Sequence, residues 1–283
     1  MTILGKQVEP IIDAALAEDL GLGDVTTEAL IPVEMKGKAH LIAKGEGVLA
    51  GIGIAAMVFR RLDPDLVVRE LVADGSRLRL GDKLATVEGR VASILRAERV
   101  ALNFVQRLSG IATETARYVE AIAGTKRVIM DTRKTTPGLR MLEKYAVRVG
   151  GGHNHRLSLS DGIIIKDNHQ KALRSCGMEL GEAIRRVREH APITLKVEVE
   201  AQSVQQALEA IAGKADIIML DNMSIDDISR VVELAEGRVP LEVSGGISLV
   251  NISSVAEVDV DLISVGALTH SATALDMSLD LDM

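Results

Sequence analysis

The sequence predicts an α/β protein in which a small N-terminal α+β domain precedes a parallel, incomplete α/β barrel. Aliphatic runs recur at Arg127 to Met130, Gly162 to Ile165, Thr194 to Val199, Ile217 to Leu220, Leu241 to Val243 and Leu262 to Val265. Each is separated from the next by enough chain for a crossover helix, the rhythm of parallel β/α units. Earlier in the chain the β-like runs are joined by turn dipeptides. At 283 residues and 47% hydrophobic content, the chain can bury one large core or two modest ones.

Val8 to Leu20 has helical periodicity and ends at Gly21, which takes a left-handed position without a Cβ penalty. Gly23-Asp24-Val25-Thr26-Thr27 reads as a turn. Lys38 to Ala43, Leu66 to Val72 and Lys83 to Glu88 read as strands, with Asp74-Gly75 and Gly81-Asp82 as turn signals. Val91 to Leu108 spaces Ile94, Leu95, Val100, Leu102, Phe104, Val105 and Leu108 along one helix that bridges to the barrel. Ser109-Gly110 then marks the change of texture, so residues 1–108 form the first domain and residues 109–270 the barrel. Six barrel strands are clear, and a seventh, cryptic one falls near Val147 to Val149.

Composition excludes several classes. One cysteine, Cys176, rules out an internal disulfide framework, and the N-terminus lacks the basic-then-apolar pattern of a secretory signal, which makes the cytoplasm the expected compartment. The most apolar stretch, Gly47 to Phe59, is thirteen residues broken by glycines, whereas a membrane span needs roughly twenty. Two Phe, two Tyr and no Trp leave little surface for stacking bases, and a net charge of −7 opposes a phosphate backbone. Neither a membrane nor a nucleic acid is an expected partner.

Charge concentrates where chemistry is expected. From Lys126 to Arg174 there are eleven Lys or Arg against four Asp or Glu. Cations interleaved with glycines and apolar strands self-repel unless an anion or carboxylate neutralises them. In parallel barrels the βα loops converge at the carboxyl ends of the strands. That rim supplies Asp131-Thr132-Arg133-Lys134, Lys166-Asp167-Asn168-His169, Glu198 and Glu200, Asp221-Asn222, Ser244-Gly245-Gly246 and Gly266. The glycines after the last two strands either cradle a phosphate with bare N–H groups or make tight turns. Glu198 and Asp221 suit a hard oxygen site for Mg²⁺, or neutralise Lys134, Lys166 or Lys196. Lys166, emerging from Ile163-Ile164-Ile165, is either a Schiff-base nucleophile or a plain cation. His153, His155 and His169 lack the partners of a zinc site.

These residues resemble quinolinate phosphoribosyltransferase, the carboxylating nicotinate-nucleotide pyrophosphorylase family. The likeness runs in order through Glu18-Asp19-Leu20, Gly23 to Thr27, Glu98-Arg99, Ser109 to Thr113, Asp131 to Leu139, Glu143 to Arg156, Lys166 to His169, Glu198, Leu220-Asp221-Asn222, Ser244-Gly245-Gly246 and Val265 to Ser271. The resemblance implies an N-terminal α/β sandwich, an open seven-stranded α/β barrel, and a tail, 271–283, returning to the first domain. It implies transfer of phosphoribose from phosphoribosyl pyrophosphate to quinolinate with decarboxylation, giving nicotinate mononucleotide, pyrophosphate and CO2. Arg133, His155, Arg156 and Arg99 from the partner of a homodimer would then take the quinolinate carboxylates. Lys134 and Lys166 would serve the pyrophosphate and sugar side, and Glu198 and Asp221 the ribose and Mg²⁺. Ser244, Gly245, Gly246 and Gly266 would cradle the 5′-phosphate.

Three rivals stand beside this reading. A molybdenum-transport-associated paralogue shares the fold, but Asp131 to Thr135 and Asn154-His155-Arg156 look like the quinolinate enzyme. A Schiff-base aldolase would trap a borohydride-reducible adduct on Lys166. A phosphorylated-ligand sensor leaves the Arg-Lys-His cluster and the rim carboxylates without a task.

Overall fold

The computed structural model describes residues 5–282; residues 1–4 and 283, the extremities of the expected first domain and tail, lie outside the described residues. The chain divides into two compact units. The first comprises residues 1–116, 135–151 and 268–283, the second residues 117–134 and 152–267. The division expected at 108/109 is linear in sequence, whereas the compact units cut the chain four times.

In the first unit, helix α1 spans Gly5–Leu20 and gives way at Gly21, whose φ is +47°. Gly23 to Thr27, expected as a turn, instead opens a second helix, α2, Val25–Leu30, because the Asp24 carboxylate accepts the Thr27 N–H and caps it. Strands β1 (Lys36–Ala43), β2 (Gly47–Val48), β3 (Val67–Glu70), β4 (Arg77–Leu78) and β5 (Lys83–Arg90) follow, with helix α3 at Ile52–Leu62. Helix α4 then runs for 31 residues, Val91–Ala121. Ser109-Gly110 does not end it. The Ser109 hydroxyl is buried and turns to the Ala50 backbone, donating to its carbonyl and accepting its N–H, so the polar pair is absorbed without breaking the helix.

The second unit alternates strand and helix. Strand β6 is Val128–Met130; helix α5, Arg140–Val149, belongs to the first unit; strand β7, Ile163–Ile165, leads into α6, Asp167–Ser175, and α7, Leu180–His190. Then come β8 (Val197–Ala201), α8 (Val204–Ala212), β9 (Ile217–Asp221), α9 (Ile225–Ala235), β10 (Leu241–Ser244), α10 (Ile252–Glu257) and β11 (Leu262–Ser264), after which α11 (Ala267–His270) leads back to the first unit and to β12 (Met277–Asp282). Six strands form one sheet in the order β6-β11-β10-β9-β8-β7, parallel throughout and not closed into a full barrel. The seventh strand expected at Val147 to Val149 is instead the end of α5. What remains of it is a single parallel bridge between Met130 and His153, supported by the His153 N–H on the Ile129 carbonyl.

The C-terminal tail returns as β12, which adds to β1 in antiparallel register and completes a four-stranded sheet, β12-β1-β5-β3. Beside it, Asp63 ends α3 almost fully buried and accepts from Arg90 Nε at 3.0 Å, Ser93 Oγ at 2.6 Å and the Asp65 N–H at 3.1 Å. The Arg90 guanidinium foremost holds the carboxyl down at about 2. Its stabilising contribution is therefore complete above the ordinary carboxylate value and is lost as pH falls through about 2. Asp63→Asn should cost about 1–2 kcal/mol at neutral pH, since Arg90 is partly solvated. Urea denaturation should show that difference closing between pH 4 and 2.

Candidate active site

The carboxyl ends of the six strands surround a cavity of about 540 Å³. Its wall holds Thr132, Arg133, Lys134, His155, Arg156, Lys166, Asp221, Ser244, Gly245 and Gly246, together with Glu200, Asn222 and Ser264. Most of the residues expected to act together are thus brought together. Arg99 stands on α4 in the first unit, exposed. Gly266 follows β11 without reaching the cavity wall.

Glu198 is also not where the expectation put it. The strand expected at Thr194 to Val199 begins later, at Val197, because a turn from Pro192 to Leu195 precedes it. Strand β8 consequently carries Glu200 to the rim and leaves Glu198 one pleat deeper, two residues or roughly 6–7 Å along the strand. Glu198 is in register with Ile217, Glu200 with Met219, and Asp221 with Ser244. The carboxylate facing Asp221 in the cavity is therefore Glu200. Burial, and then the Asp221 charge, push the Glu200 carboxyl up, while Lys166 at 3.9 Å opposes them. The half-exposed Lys166 thus pairs with a rim carboxylate, but with Glu200 in place of the expected Glu198.

The glycines after β10 have a local reason. Gly245 has φ +90° and Gly246 φ +63°, both left-handed, and a Cβ on Gly245 would lie 2.3 Å from Asn222 Oδ1. Asn222, itself at φ +55°, donates its N–H to the Ser244 carbonyl and its amide to Asp221. A Cβ on Gly246 would meet nothing within 4 Å. The pair makes a tight turn that lines the cavity.

The cations are arranged for an anion. Arg133 and Arg156 are half-buried, and the Nε of each is buried without a hydrogen-bond partner. Arg156 Nη1 donates to the Gly162 carbonyl at 2.8 Å. Burial first, and the neighbouring Arg133 charge second, lower the Arg156 pKa. Two adjacent guanidiniums with unmet donors are costly alone and complementary to carboxylates.

Below the cavity, Asp131 is fully buried and accepts the His155 N–H at 2.8 Å and the Asn154 amide at 2.7 Å, fixing the loop that carries Arg156. The His155 ring reaches down to Glu198 (3.0 Å) and Glu242 (3.6 Å). Burial works to lower its pKa, but the hydrogen bond to Glu198 and then the nearby Glu242 carboxylate overcome this and raise it to about 10. The Arg156 N–H at 2.7 Å from Nδ1 asks instead for a lone pair there. Two carboxylates at this range contribute about 4 kcal/mol each at an effective dielectric near 20, against about 1 kcal/mol for the amide contact. The charged ring prevails. Glu242 was missed from sequence. Its only signal is an acid inside the buried run Leu241-Glu242-Val243, two residues before the glycine turn. His169 caps α6 by accepting the Lys166 N–H at 3.0 Å, a structural role.

Comparison with known proteins places the chain. The family model for the quinolinate phosphoribosyl transferase N-terminal domain matches residues 24–109, and that for the C-terminal domain matches residues 111–280. A probable carboxylating nicotinate-nucleotide pyrophosphorylase from Synechocystis is 42% identical over 277 residues, covering 97% of this chain and 92% of its own. The carboxylating nicotinate-nucleotide pyrophosphorylase of Mycobacterium leprae is 45% identical over 276 residues, 95% of each chain. The crystal structure of NadC from Streptococcus pyogenes superposes with a TM-score of 0.94 at 44% identity, covering 100% of this chain and 99% of that one. The chain belongs to the quinolinate phosphoribosyl transferase family.

Proposed function

We propose that this protein transfers phosphoribose from phosphoribosyl pyrophosphate to quinolinate and decarboxylates the product, yielding nicotinate mononucleotide, pyrophosphate and CO2 for de novo NAD synthesis. The observation that carries the reading is the pair of guanidiniums, Arg133 and Arg156, with unmet buried donors in one cavity. They match the two carboxylates of quinolinate. The pyridine nitrogen forms a bond to the anomeric carbon as the bond to pyrophosphate breaks, and positive charge develops on the ribose. Glu200 and Asp221 face that charge, while Lys134 and Lys166 face the departing pyrophosphate. Preorganised charge of this kind is usually the largest catalytic contribution, and no covalent enzyme intermediate is required. The C2 carboxylate then leaves as CO2. Its electrons stay on the ring beside the quaternary nitrogen until C2 takes a proton.

Mg²⁺ suits this rim. Hard carboxylate oxygens on Glu200 and Asp221 are apt for the ion, which would neutralise pyrophosphate oxygens when bound with substrate. Ser244, Gly245 and Gly246 are assigned the 5′-phosphate. Among the described residues no helix is long and apolar enough to cross a membrane, and the cytoplasm is the compartment we assign.

Incubating the protein with quinolinate, phosphoribosyl pyrophosphate and Mg²⁺ should give nicotinate mononucleotide by mass, with one CO2 per product and no turnover after chelation. A folded protein that binds phosphoribosyl pyrophosphate yet makes no product would refute the acceptor assignment. The homodimer is tested separately. If Arg99 completes the partner subunit's site, mixing Arg99→Ala with Lys166→Ala protein should restore about a quarter of wild-type activity after full random exchange, since half the dimers would be hybrids with one intact site of two. No recovery after verified subunit exchange would place Arg99 elsewhere.

A further inference from the structure

The cavity at the strand ends leaves one cluster beneath it unexplained. Glu198 and Glu242 are the second residues of β8 and β10. Both point to the face that carries Met219 and Asp221, Glu198 in register with Ile217 and Glu242 with Met219. Glu242 is wholly buried and Glu198 is 4% exposed. Glu198 Oε1 and both Glu242 oxygens have no hydrogen-bond partner. They open on a separate cavity of about 420 Å³ that His155 and Arg156 divide from the one above. Two buried carboxylates in this state are expensive, and apolar side chains would fill the layer at less cost. The compensation has to come from the groups around them. These are the His155 ring, the Arg156 guanidinium on the same loop, and Lys196, exposed on the lower wall; Asp131, below the loop, is already engaged by the His155 and Asn154 N–H groups.

We infer that Glu242 is a positioning residue whose charge, beside the Glu198 carboxylate that accepts the Nε2–H of His155, holds the His155-Arg156 pair as a cationic floor under the dicarboxylate substrate. Neither acid touches the substrate; each acts through the ring. The inference rests on the quinolinate reading above. One rival follows from the same geometry, because the candidate ligand atoms of His155, Glu198 and Glu242 lie within 4.8 Å of one another, close enough to share a metal ion. A metal on Nε2 needs the lone pair that the proton occupies, so the two arrangements exclude each other.

The test is Glu242→Gln in the full-length protein, which keeps shape and removes charge. KM for quinolinate should rise about tenfold, the loss of one buried ion-pair contact behind the substrate-facing cations, while kcat and KM for phosphoribosyl pyrophosphate stay within about twofold. A merely structural role would lower the melting temperature and leave both KM values alone. Independently of turnover, ¹⁵N-histidine spectra recorded across pH should show His155 protonated on both nitrogens at pH 7 in the wild type, and losing its proton at lower pH in the variant than in the wild type. If the wild type makes no product but the ring signal still changes, the acceptor assignment fails and the hold on His155 stands. Unchanged KM and an unchanged ring signal would overturn the inference, as would one co-purifying divalent ion per chain that the variant loses. Should Glu242→Gln fail to fold, Glu198→Gln removes charge from the other side of the ring and is read the same way.

Discussion

Arg156→Ala will lower kcat/KM for quinolinate by about a thousandfold, roughly 4 kcal/mol, while leaving the protein about as stable as before. The two halves of this expectation come from the same facts. The guanidinium is half-buried beside Arg133, its Nε has no partner, and burial and the neighbouring charge both oppose its ionisation. Removing it relieves that burial and repulsion, and forfeits the hydrogen bond from Nη1 to the Gly162 carbonyl together with its attraction to Glu198. Those changes oppose each other at about 1 kcal/mol each, so the thermal midpoint should move little. Bound quinolinate, by contrast, would lose a planar two-donor partner and leave its carboxylate desolvated. Arg156→Lys should recover only part of the loss, because an ammonium keeps the charge but not the fork. Steady-state kinetics with quinolinate varied, paired with a melting curve, decides the matter. A variant that keeps its KM would move the dicarboxylate away from Arg156.

The fold was legible because periodicity and turn chemistry agreed. All six clear barrel runs lie on strands of one parallel sheet, since each is an aliphatic segment that only burial between helices accommodates. What periodicity cannot supply is the exact end of a strand. The run at Thr194 to Val199 extends to Ala201, and that slip exchanges Glu198 for Glu200 at the rim. A period of two puts both acids on one face, so only the register against β9 tells the rim from the layer below. Glu242 escaped notice for a related reason: a single acid between Leu241 and Val243 does not announce three-dimensional neighbours from β8 and the His155 loop. Val147 to Val149 failed differently. Its branched residues suit a strand, but the ten-residue amphipathic run that contains it packs Leu142, Ala146 and Val147 as one buried helical face. Asp24 likewise turned an expected loop into a helix by capping it.

Gly110→Ala should destabilise the first unit by about 3 kcal/mol and lower its melting temperature by roughly 10 °C, although alanine is the better helix former. Helix propensity favours the substitution by about 1 kcal/mol in the middle of α4. Packing outweighs it. A Cβ at residue 110 would lie 2.1 Å from the Thr273 carbonyl oxygen and 2.9 Å from Ala274 Cα. These are backbone atoms, which no rotamer change removes. Nor is that segment free to slide, since the Leu275 N–H donates to the Gln106 carbonyl at 3.0 Å, Gln106 Nε2 to the Met277 carbonyl at 2.8 Å, and Arg107 Nη1 to the Ala272 carbonyl at 2.9 Å. Strand β12 begins at Met277 and pairs with β1, so displacing the segment loosens an edge of the four-stranded sheet. Gly53→Ala in α3 makes the control. A Cβ there meets nothing within 4 Å, so propensity alone acts and the change should stabilise by about 0.5 kcal/mol. Calorimetry on the two variants should therefore give opposite signs. If both stabilise, the tail is not seated on α4 as described, and the return of the chain to β1 must be reached by another path.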